Sequence, residues 1–169
     1  MQRIATFELV SVERFVEDYQ KLLGGEKQDA LTIYRRLKLP RRATMGSAGY
    51  DFFSPAAFSL APGEQIHLPT GVRVRMQQGW VLQCFPRSGL GFKFRLQLNN
   101  TVGIIDSDYY GSDNEGHIYC KLTNDSRDGK TVRVEAGQGY MQGIFLPFGI
   151  TEDDEACAVR NGGLGSTTK

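Results

Sequence analysis

The sequence has few of the side chains that build redox and metal sites. It contains three cysteines, at positions 84, 120 and 157, and two histidines, His67 and His117, among 169 residues. The odd number and wide spacing of the cysteines predict reduced, structural thiols, and hence a cytoplasmic protein rather than a disulfide-bonded secreted one. Two histidines so far apart do not have the ligand spacing of a zinc site.

Charge of one sign and long apolar runs are also lacking. The formal net charge is +1, so no overall positive field favours nucleic acid or an anionic membrane, and we expect neither as a partner. No stretch is long and apolar enough for a transmembrane helix, and the N-terminus does not have the order of a signal peptide. Because no internal repeat or linker interrupts the sequence, we predict one domain over residues 1–169.

The N-terminal part of the chain predicts a strand followed by two helices. Residues 5–10 alternate in polarity, as a half-buried strand does. Apolar residues then recur twice at helical spacing within residues 11–37, with Ser11 as the first N-cap and Gly24 as the first stop. We interpret this helical excursion as a packing or oligomer contact. The alternative is a basic arm made of Arg35, Arg36, Lys38, Arg41 and Arg42.

The remainder of the chain predicts β-structure. Alternating or apolar runs predict short strands at residues 72–76, 80–85, 118–122 and 131–134. Gly- and Pro-containing turns separate them without a βαβ rhythm, which favours an all-β sandwich or barrel. Residues 160–169 are rich in Gly, Ser and Thr, so we expect a flexible C-terminal lid that a ligand orders.

Two segments suggest a nucleotide site. Residues 86–93, Pro-Arg-Ser-Gly-Leu-Gly-Phe-Lys, combine a guanidinium, a hydroxyl, an ammonium and accessible backbone amides, a set that suits a polyphosphate. Residues 100–109, Asn-Thr-Val-Gly-Ile-Ile-Asp-Ser-Asp-Tyr, place Asp106 at the end of an apolar hairpin near an aromatic ring. A carboxylate in that place is suited to activate water, and the two isoleucines before it are expected to bury it partly.

Five segments together, in order along the chain, resemble the five motifs of the trimeric dUTPase family. They are residues 48–51 (Ala-Gly-Tyr-Asp), 86–90 (Pro-Arg-Ser-Gly-Leu), 103–109 (Gly-Ile-Ile-Asp-Ser-Asp-Tyr), 137–147 and 160–167 (Arg-Asn-Gly-Gly-Leu-Gly-Ser-Thr). The resemblance covers residues 39–168. The long N-terminus and an insertion at residues 112–117 resemble the branch found in Gram-positive bacteria and their phages.

This resemblance implies a fold and a reaction. The fold is an all-β jelly-roll barrel, with the helical excursion added, that assembles as a homotrimer whose sites are shared between subunits. The reaction is the hydrolysis of dUTP to dUMP and pyrophosphate, by Mg²⁺-assisted in-line attack of water on the α-phosphorus.

The resemblance also implies roles for individual residues. Asp106 is the general base, with Asp108 as the local competitor, and Asp51 contacts the Mg²⁺ through water. Tyr109 packs on the sugar and excludes a 2′-hydroxyl, while Asn100 contacts the base. The full set of substrate contacts is Arg87, Ser88, Gly89, Asn100, Gly103, Ile105, Tyr109, Gln142, Arg160, Leu164, Gly165 and Ser166.

Some of these residues have structural alternatives. Asp51 and Asn100 are also suited to turns, Arg87 to an ion pair between strands, Tyr109 to a core, and Lys93 to a surface salt bridge. The sequence also departs from the family pattern. Gln138, Gly139 and Tyr140 stand where an acid, an arginine and an isoleucine are common, Leu164 replaces a stacking phenylalanine, and Thr168 replaces a glycine.

Two other functions compete with dUTP hydrolysis. A dCTP deaminase of the same fold would need a glutamate base near the pyrimidine, and Asp106 in its place argues against that reading. A phage-type regulatory protein would bind a host protein through residues 112–117 or the N-terminal helices, with hydrolysis secondary.

Overall fold

The computed structural model describes residues 2–162, and in that range the chain is built mainly of short antiparallel strands. The strands are β1 (Ala5–Leu9), β2 (Arg41–Arg42), β3 (Tyr50–Phe53), β4 (Phe58–Leu60), β5 (Gln65–Pro69), β6 (Val72–Met76), β7 (Trp80–Pro86), β8 (Leu96–Leu98), β9 (Gly103–Ile105), β10 (Tyr119–Asn124), β11 (Val132–Val134) and β12 (Gly139–Pro147). The helices are α1 (Val12–Leu23), α2 (Lys27–Tyr34) and α3 (Ser88–Phe94), with a 3₁₀ helix at Ser107–Gly111.

The strands form four antiparallel groups around one core. The largest has the order β2-β3-β12-β7-β9, a second has the order β5-β10-β8, and β1-β6 and β11-β4 form pairs. Side chains alternate between the core and the outside along a strand. In β6, Val72, Val74 and Met76 are buried, whereas the arginines between them face outward. The main core holds Phe52, Leu82 and other buried apolar side chains from all four groups. A β-rich fold with a helical N-terminal excursion was therefore predicted correctly.

The N-terminal helices pack on a core of their own. Ser11 caps α1 by accepting a hydrogen bond from the Arg14 amide at 3.1 Å, and Gly24 ends it in the left-handed region at φ 69°. Phe15 and Ala30 are fully buried between the two helices. Helix α2 ends at Tyr34 and residues 35–36 form a turn, so the helical part of the chain ends slightly before residue 37.

Helix α3 was not predicted. Its seven residues include two glycines, which disfavour a helix interior, and its C-terminal residue Arg95 is left-handed, with φ 51°. Packing of Leu90 and Phe94 against the main core outweighs the weak local propensity.

The cysteines match the prediction of structural thiols. Cys84 and Cys120 are buried in the core, and Cys157 is exposed. Burial raises the pKa of the Cys84 thiol to about 12, and that of Cys120 further still, so both thiols stay protonated at neutral pH. Among the described residues, no helix has both the length and the apolar character needed to cross a membrane.

Candidate active site

A polar pocket lies where three strands of the largest sheet meet. Gln142 in β12 stands opposite Asp51 in β3 and opposite Phe85 in β7, and Arg87 follows the end of β7. The antiparallel register thus brings together residues that are far apart in sequence. The pocket has a volume of about 320 Å³ and is lined by Ala43, Ser47, Ala48, Gly49, Asp51, Arg87, Ser88 and Gln142.

Two glycines make room for the polar side chains of this pocket. A Cβ on Gly49 would lie 2.7 Å from the Gln142 Oε1 atom, and a Cβ on Gly139 would lie 2.7 Å from Arg87 Nη1. Gly139 is one of the departures from the family pattern. Its missing side chain leaves the space that the Arg87 guanidinium uses.

Arg87 and Asp51 form an ion pair inside the pocket. Arg87 Nε lies 3.3 Å from Asp51 Oδ1, with the Arg87 side chain 45% exposed and the Asp51 side chain 20% exposed. Arg87 thus forms the ion pair between strands that was its structural alternative and also lines the pocket, while its contact with phosphate stays a prediction. Lys93 is exposed on α3 and does not line the pocket.

The pocket residues suit a magnesium ion that is already bound to the phosphates of a ligand. Among the described residues, no group of three or more His, Cys, Asp or Glu side chains is arranged to hold a metal. Asp51 is a single carboxylate beside Ser88 and Gln142. Mg²⁺ keeps several waters and uses few protein carboxylates when phosphates complete its coordination, so this donor set suits a phosphate-bound ion.

A second, more apolar pocket lies at the hairpin between β8 and β9. Its volume is about 400 Å³, and its lining includes Asn100, Gly103 and Ile105 together with core residues such as Cys84 and Met141. Gly103 stands opposite Cys84 in the β9–β7 pairing, and a Cβ there would lie 3.1 Å from the Cys84 Cβ. Asn100 is in the turn of the hairpin and also lines the pocket, and its contact with a base stays a prediction.

Asp106 and Tyr109 follow this hairpin at the start of the 3₁₀ helix. The Asp106 side chain is 44% exposed and Ile104 is 52% exposed. This carboxylate is therefore partly buried, as expected, although Ile104 itself faces solvent. Tyr109 is buried, and its hydroxyl donates to the His117 carbonyl oxygen at 2.7 Å.

Arg160 lies against the same hairpin. Its guanidinium forms ion pairs with Asp106 and, at 2.9 Å, with Asp108 Oδ1, and it sits 5.8 Å from the centre of the Tyr109 ring. Only 19% of the Arg160 side chain is exposed. The resemblance implies that this arginine contacts phosphate; in this structure its partners are two carboxylates.

Most of the predicted site residues in the described chain line one of two pockets or lie in the segment that follows the hairpin. Asp51, Arg87, Ser88 and Gln142 line the polar pocket, whereas Asn100, Gly103 and Ile105 line the apolar one, and the two linings share no residue. Gly89 is exposed in the first turn of α3. Leu164, Gly165 and Ser166 lie outside the described residues.

Sequence reasoning missed two features of the site. The first is the role of Gly139 as space for Arg87, for which the only signal is its departure from the family pattern. The second is the hydrogen bonding of Tyr109, whose hydroxyl also accepts from Asn114 Nδ2 at 2.7 Å. Asn114 lies in the insertion at residues 112–117, and no motif marks it.

Comparison with known proteins identifies the family of this chain. The family model described as dUTPase matches residues 35–168. The deoxyuridine 5′-triphosphate nucleotidohydrolase of Lactococcus lactis is 40% identical over 144 residues, which are 82% of this chain and 95% of that protein. The corresponding protein of Tolumonas auensis is 37% identical over 143 residues, or 80% and 90% of the two chains.

Solved structures show the same fold. The crystal structure of the dUTPase from Streptococcus mutans superposes with a TM-score of 0.63 at 36% identity, covering 86% of this chain and 98% of that one. The dUTPase from phage phi11 of Staphylococcus aureus has a TM-score of 0.63 at 21% identity, covering 91% and 96%, and shows likeness of fold alone. The family model and the relatives together establish that this chain is a member of the dUTPase family.

Proposed function

We propose that the protein hydrolyses dUTP to dUMP and pyrophosphate. Two pockets carry this proposal. The polar one is lined by Arg87, Ser88 and Gln142, and the apolar one lies at the hairpin that Asp106 follows in the chain. The first has the donors for a triphosphate and the second has the size and backbone edges for a base. The relatives that share this chain's family carry the name of this activity.

In this proposal the triphosphate binds in the polar pocket. Arg87 supplies charge-assisted hydrogen bonds, Ser88 a hydroxyl and Gln142 an amide. Gly89, in the first turn of α3, adds its backbone amide. A magnesium ion brought by the substrate would neutralise phosphate charge, with Asp51 holding one of its waters.

The base and sugar bind at the hairpin. Asn100 and the backbone of Gly103 and Ile105 contact the base edge, and the Tyr109 ring packs on the sugar. Asp106 accepts the proton of the attacking water; its half-exposed carboxylate directly follows Ile105, which lines the hairpin pocket. Its general-base role makes the water nucleophilic at the α-phosphorus.

The separation of the two pockets supports a shared site. In this proposal the substrate contacts both pockets, with the polar pocket of one subunit facing the hairpin of another. We propose a homotrimer of jelly-roll subunits, in which Arg160 and the following residues, including Leu164, Gly165 and Ser166, close over the nucleotide as a lid. A single domain over residues 1–169, acting in the cytoplasm, completes this proposal.

The competing functions have less support. The family model and the relatives carry the dUTPase name, which favours hydrolysis over deamination. The regulatory function remains a prediction, since the phage proteins of the 80alpha type are 19–21% identical to this chain and share its fold only.

One set of measurements tests the proposal. Release of pyrophosphate and of ammonia is followed with dUTP, dCTP, dTTP and UTP side by side, in the presence of Mg²⁺. We expect pyrophosphate from dUTP, and much slower turnover of UTP and dCTP. Ammonia from dCTP would identify a deaminase instead, and an active monomer in light scattering would contradict the shared site.

Replacing Gly139 by alanine should lower activity without unfolding the protein. The added Cβ would lie 2.7 Å from Arg87 Nη1. Because the end of a flexible side chain can move aside, the loss of unfolding free energy should lie near the lower end of the ~1–3 kcal/mol expected for overpacking. The moved guanidinium no longer fits the phosphates, so kcat/KM for dUTP should fall about 10-fold or more. Gly149→Ala is the matched control, because its Cβ would meet open space; equal activities of the two variants would contradict this role of Gly139.

A further inference from the structure

A buried hydrogen-bond chain connects the N-terminal helix to the ring that the proposed function places on the sugar. It starts at Asp18 in α1, which is 4% exposed, and passes to His117, which is fully buried. The Asp18 Oδ2 atom lies 2.6 Å from His117 Nδ1, although the two residues are 99 positions apart. The His117 carbonyl oxygen then accepts the hydrogen bond from the Tyr109 hydroxyl at 2.7 Å.

The environment of His117 fixes its protonation. The Gly71 amide donates to His117 Nε2 at 2.8 Å, so that nitrogen carries no proton and Nδ1 is the donor to Asp18. Burial lowers the pKa of His117, with the Asp18 hydrogen bond offsetting part of that effect. For Asp18, burial alone would raise the pKa, but hydrogen bonds from His117 and Tyr119 hold it below its usual value. A neutral imidazole and an ionised carboxylate thus form one rigid pair.

The other end of the chain fixes the orientation of the Tyr109 ring. Burial raises the pKa of Tyr109, so its hydroxyl stays protonated and donates to His117 while accepting from Asn114. Both hydroxyl partners lie in the insertion at residues 112–117 or at its end. That insertion turns through Glu115 and Gly116, both with positive φ. A Cβ on Gly116 would lie 2.7 Å from the Tyr110 Cα atom, so this turn needs glycine at position 116.

The family model does not include helix α1. The dUTPase family model covers residues 35–168, and α1 ends at Leu23. The segment outside the match is therefore joined through His117 to Tyr109, which lies inside one of the family-like motifs.

We infer that Asp18 and His117 are positioning residues for the sugar-contacting ring of Tyr109, so that helix α1 takes part in the discrimination between dUTP and UTP. This inference rests on the proposed function. A ring that must exclude one hydroxyl group needs a fixed position, because a small displacement would admit the 2′-oxygen. The Asp18–His117 pair supplies that fixation from behind the ring.

The test is a double-mutant cycle read as a ratio of kcat/KM for dUTP to kcat/KM for UTP. Asp18→Ala should lower this ratio about 3- to 10-fold, the size of coupling expected within one hydrogen-bond network. Tyr109→Phe removes the hydroxyl but keeps the ring, and should lower the ratio at least as much. In the double variant the Asp18 change should have no further effect, because the connection has already been broken. Asp18→Asn keeps an acceptor for His117 and should keep the wild-type ratio.

Ser11→Ala is the matched control. The Ser11 hydroxyl donates to Glu115 Oε1 at 2.6 Å and caps α1, so this change loosens the same helix and insertion without touching His117. It should lower thermal stability and leave the ratio unchanged. A merely structural role of Asp18 would likewise slow both nucleotides equally.

Three results would overturn the inference. They are a folded Asp18→Ala protein with the wild-type ratio, an Asp18 effect that persists in the Tyr109→Phe background, and a loss of discrimination in Ser11→Ala equal to that in Asp18→Ala. If the wild-type protein hydrolysed neither nucleotide, the proposed function would fail. The same cycle, measured as binding of α,β-imido analogues of dUTP and UTP, would then still decide the inference.

Discussion

Asp106→Asn should reduce kcat for dUTP by about 10²- to 10⁴-fold, the usual contribution of a positioned general base. The amide keeps the size of the side chain and a hydrogen-bond acceptor, but it cannot take the proton of the attacking water. Binding of a non-hydrolysable dUTP analogue should remain close to that of the wild-type protein. Steady-state kinetics and calorimetry measure the two effects separately.

Asp108→Asn is the control for Asp106→Asn, because both carboxylates pair with Arg160. If the Arg160 contact were the main role of Asp106, the two variants would lose similar activity. General-base catalysis by Asp106 predicts instead that only its own variant is severely impaired. If Asp108→Asn were inactive and Asp106→Asn active, the general-base role would belong to Asp108 and not to Asp106.

The parts of the fold that depend on local patterns could be predicted from the sequence. Helix α1 has an N-cap serine, an apolar stripe and a glycine stop, and its observed ends agree with those signals. Strand β6 was predicted with its observed bounds, because alternation of Val and Arg is decisive for a half-buried strand. Helix α3 was not predicted, because it is stabilised by packing on the core and not by local helix propensity, and only the folded structure shows that packing.

The site was predictable only as far as its motifs extend. The motifs led to Arg87, Gln142 and Asp106, but they carry no distances, so the separation of the two pockets appears only in the structure. The connection of Asp18 to His117 joins a helix to a loop across 99 positions, and no periodicity or spacing encodes such a contact. The Arg160 pairing with Asp106 was unforeseen for the same reason.

Arg160→Gln should lower kcat/KM for dUTP by about 10²- to 10³-fold, the usual loss when one charged or polar donor to the reacting phosphates is removed. In the described chain the guanidinium is held by two carboxylates, Asp106 and Asp108, and is mostly buried. A bound triphosphate offers more negative charge and matching oxygen pairs for the guanidinium fork. Arg160 is therefore expected to exchange its carboxylate partners for phosphate, which frees Asp106 to act on water.

Two comparisons separate this exchange from a role in holding the hairpin. Arg160→Lys keeps the charge but loses the fork, so it should recover only part of the activity. Arg160→Gln should bind dUMP, which lacks the outer phosphates, as tightly as the wild-type protein does, and bind the imido analogue of dUTP more weakly. The loss of this partner of Asp106 and Asp108 should leave the proposed trimer intact. Light scattering should therefore give the same mass for Arg160→Gln and for the wild-type protein. Equal weakening for dUMP and the triphosphate analogue would mean that Arg160 acts by shaping the hairpin pocket, and full turnover by Arg160→Gln would exclude a phosphate contact altogether.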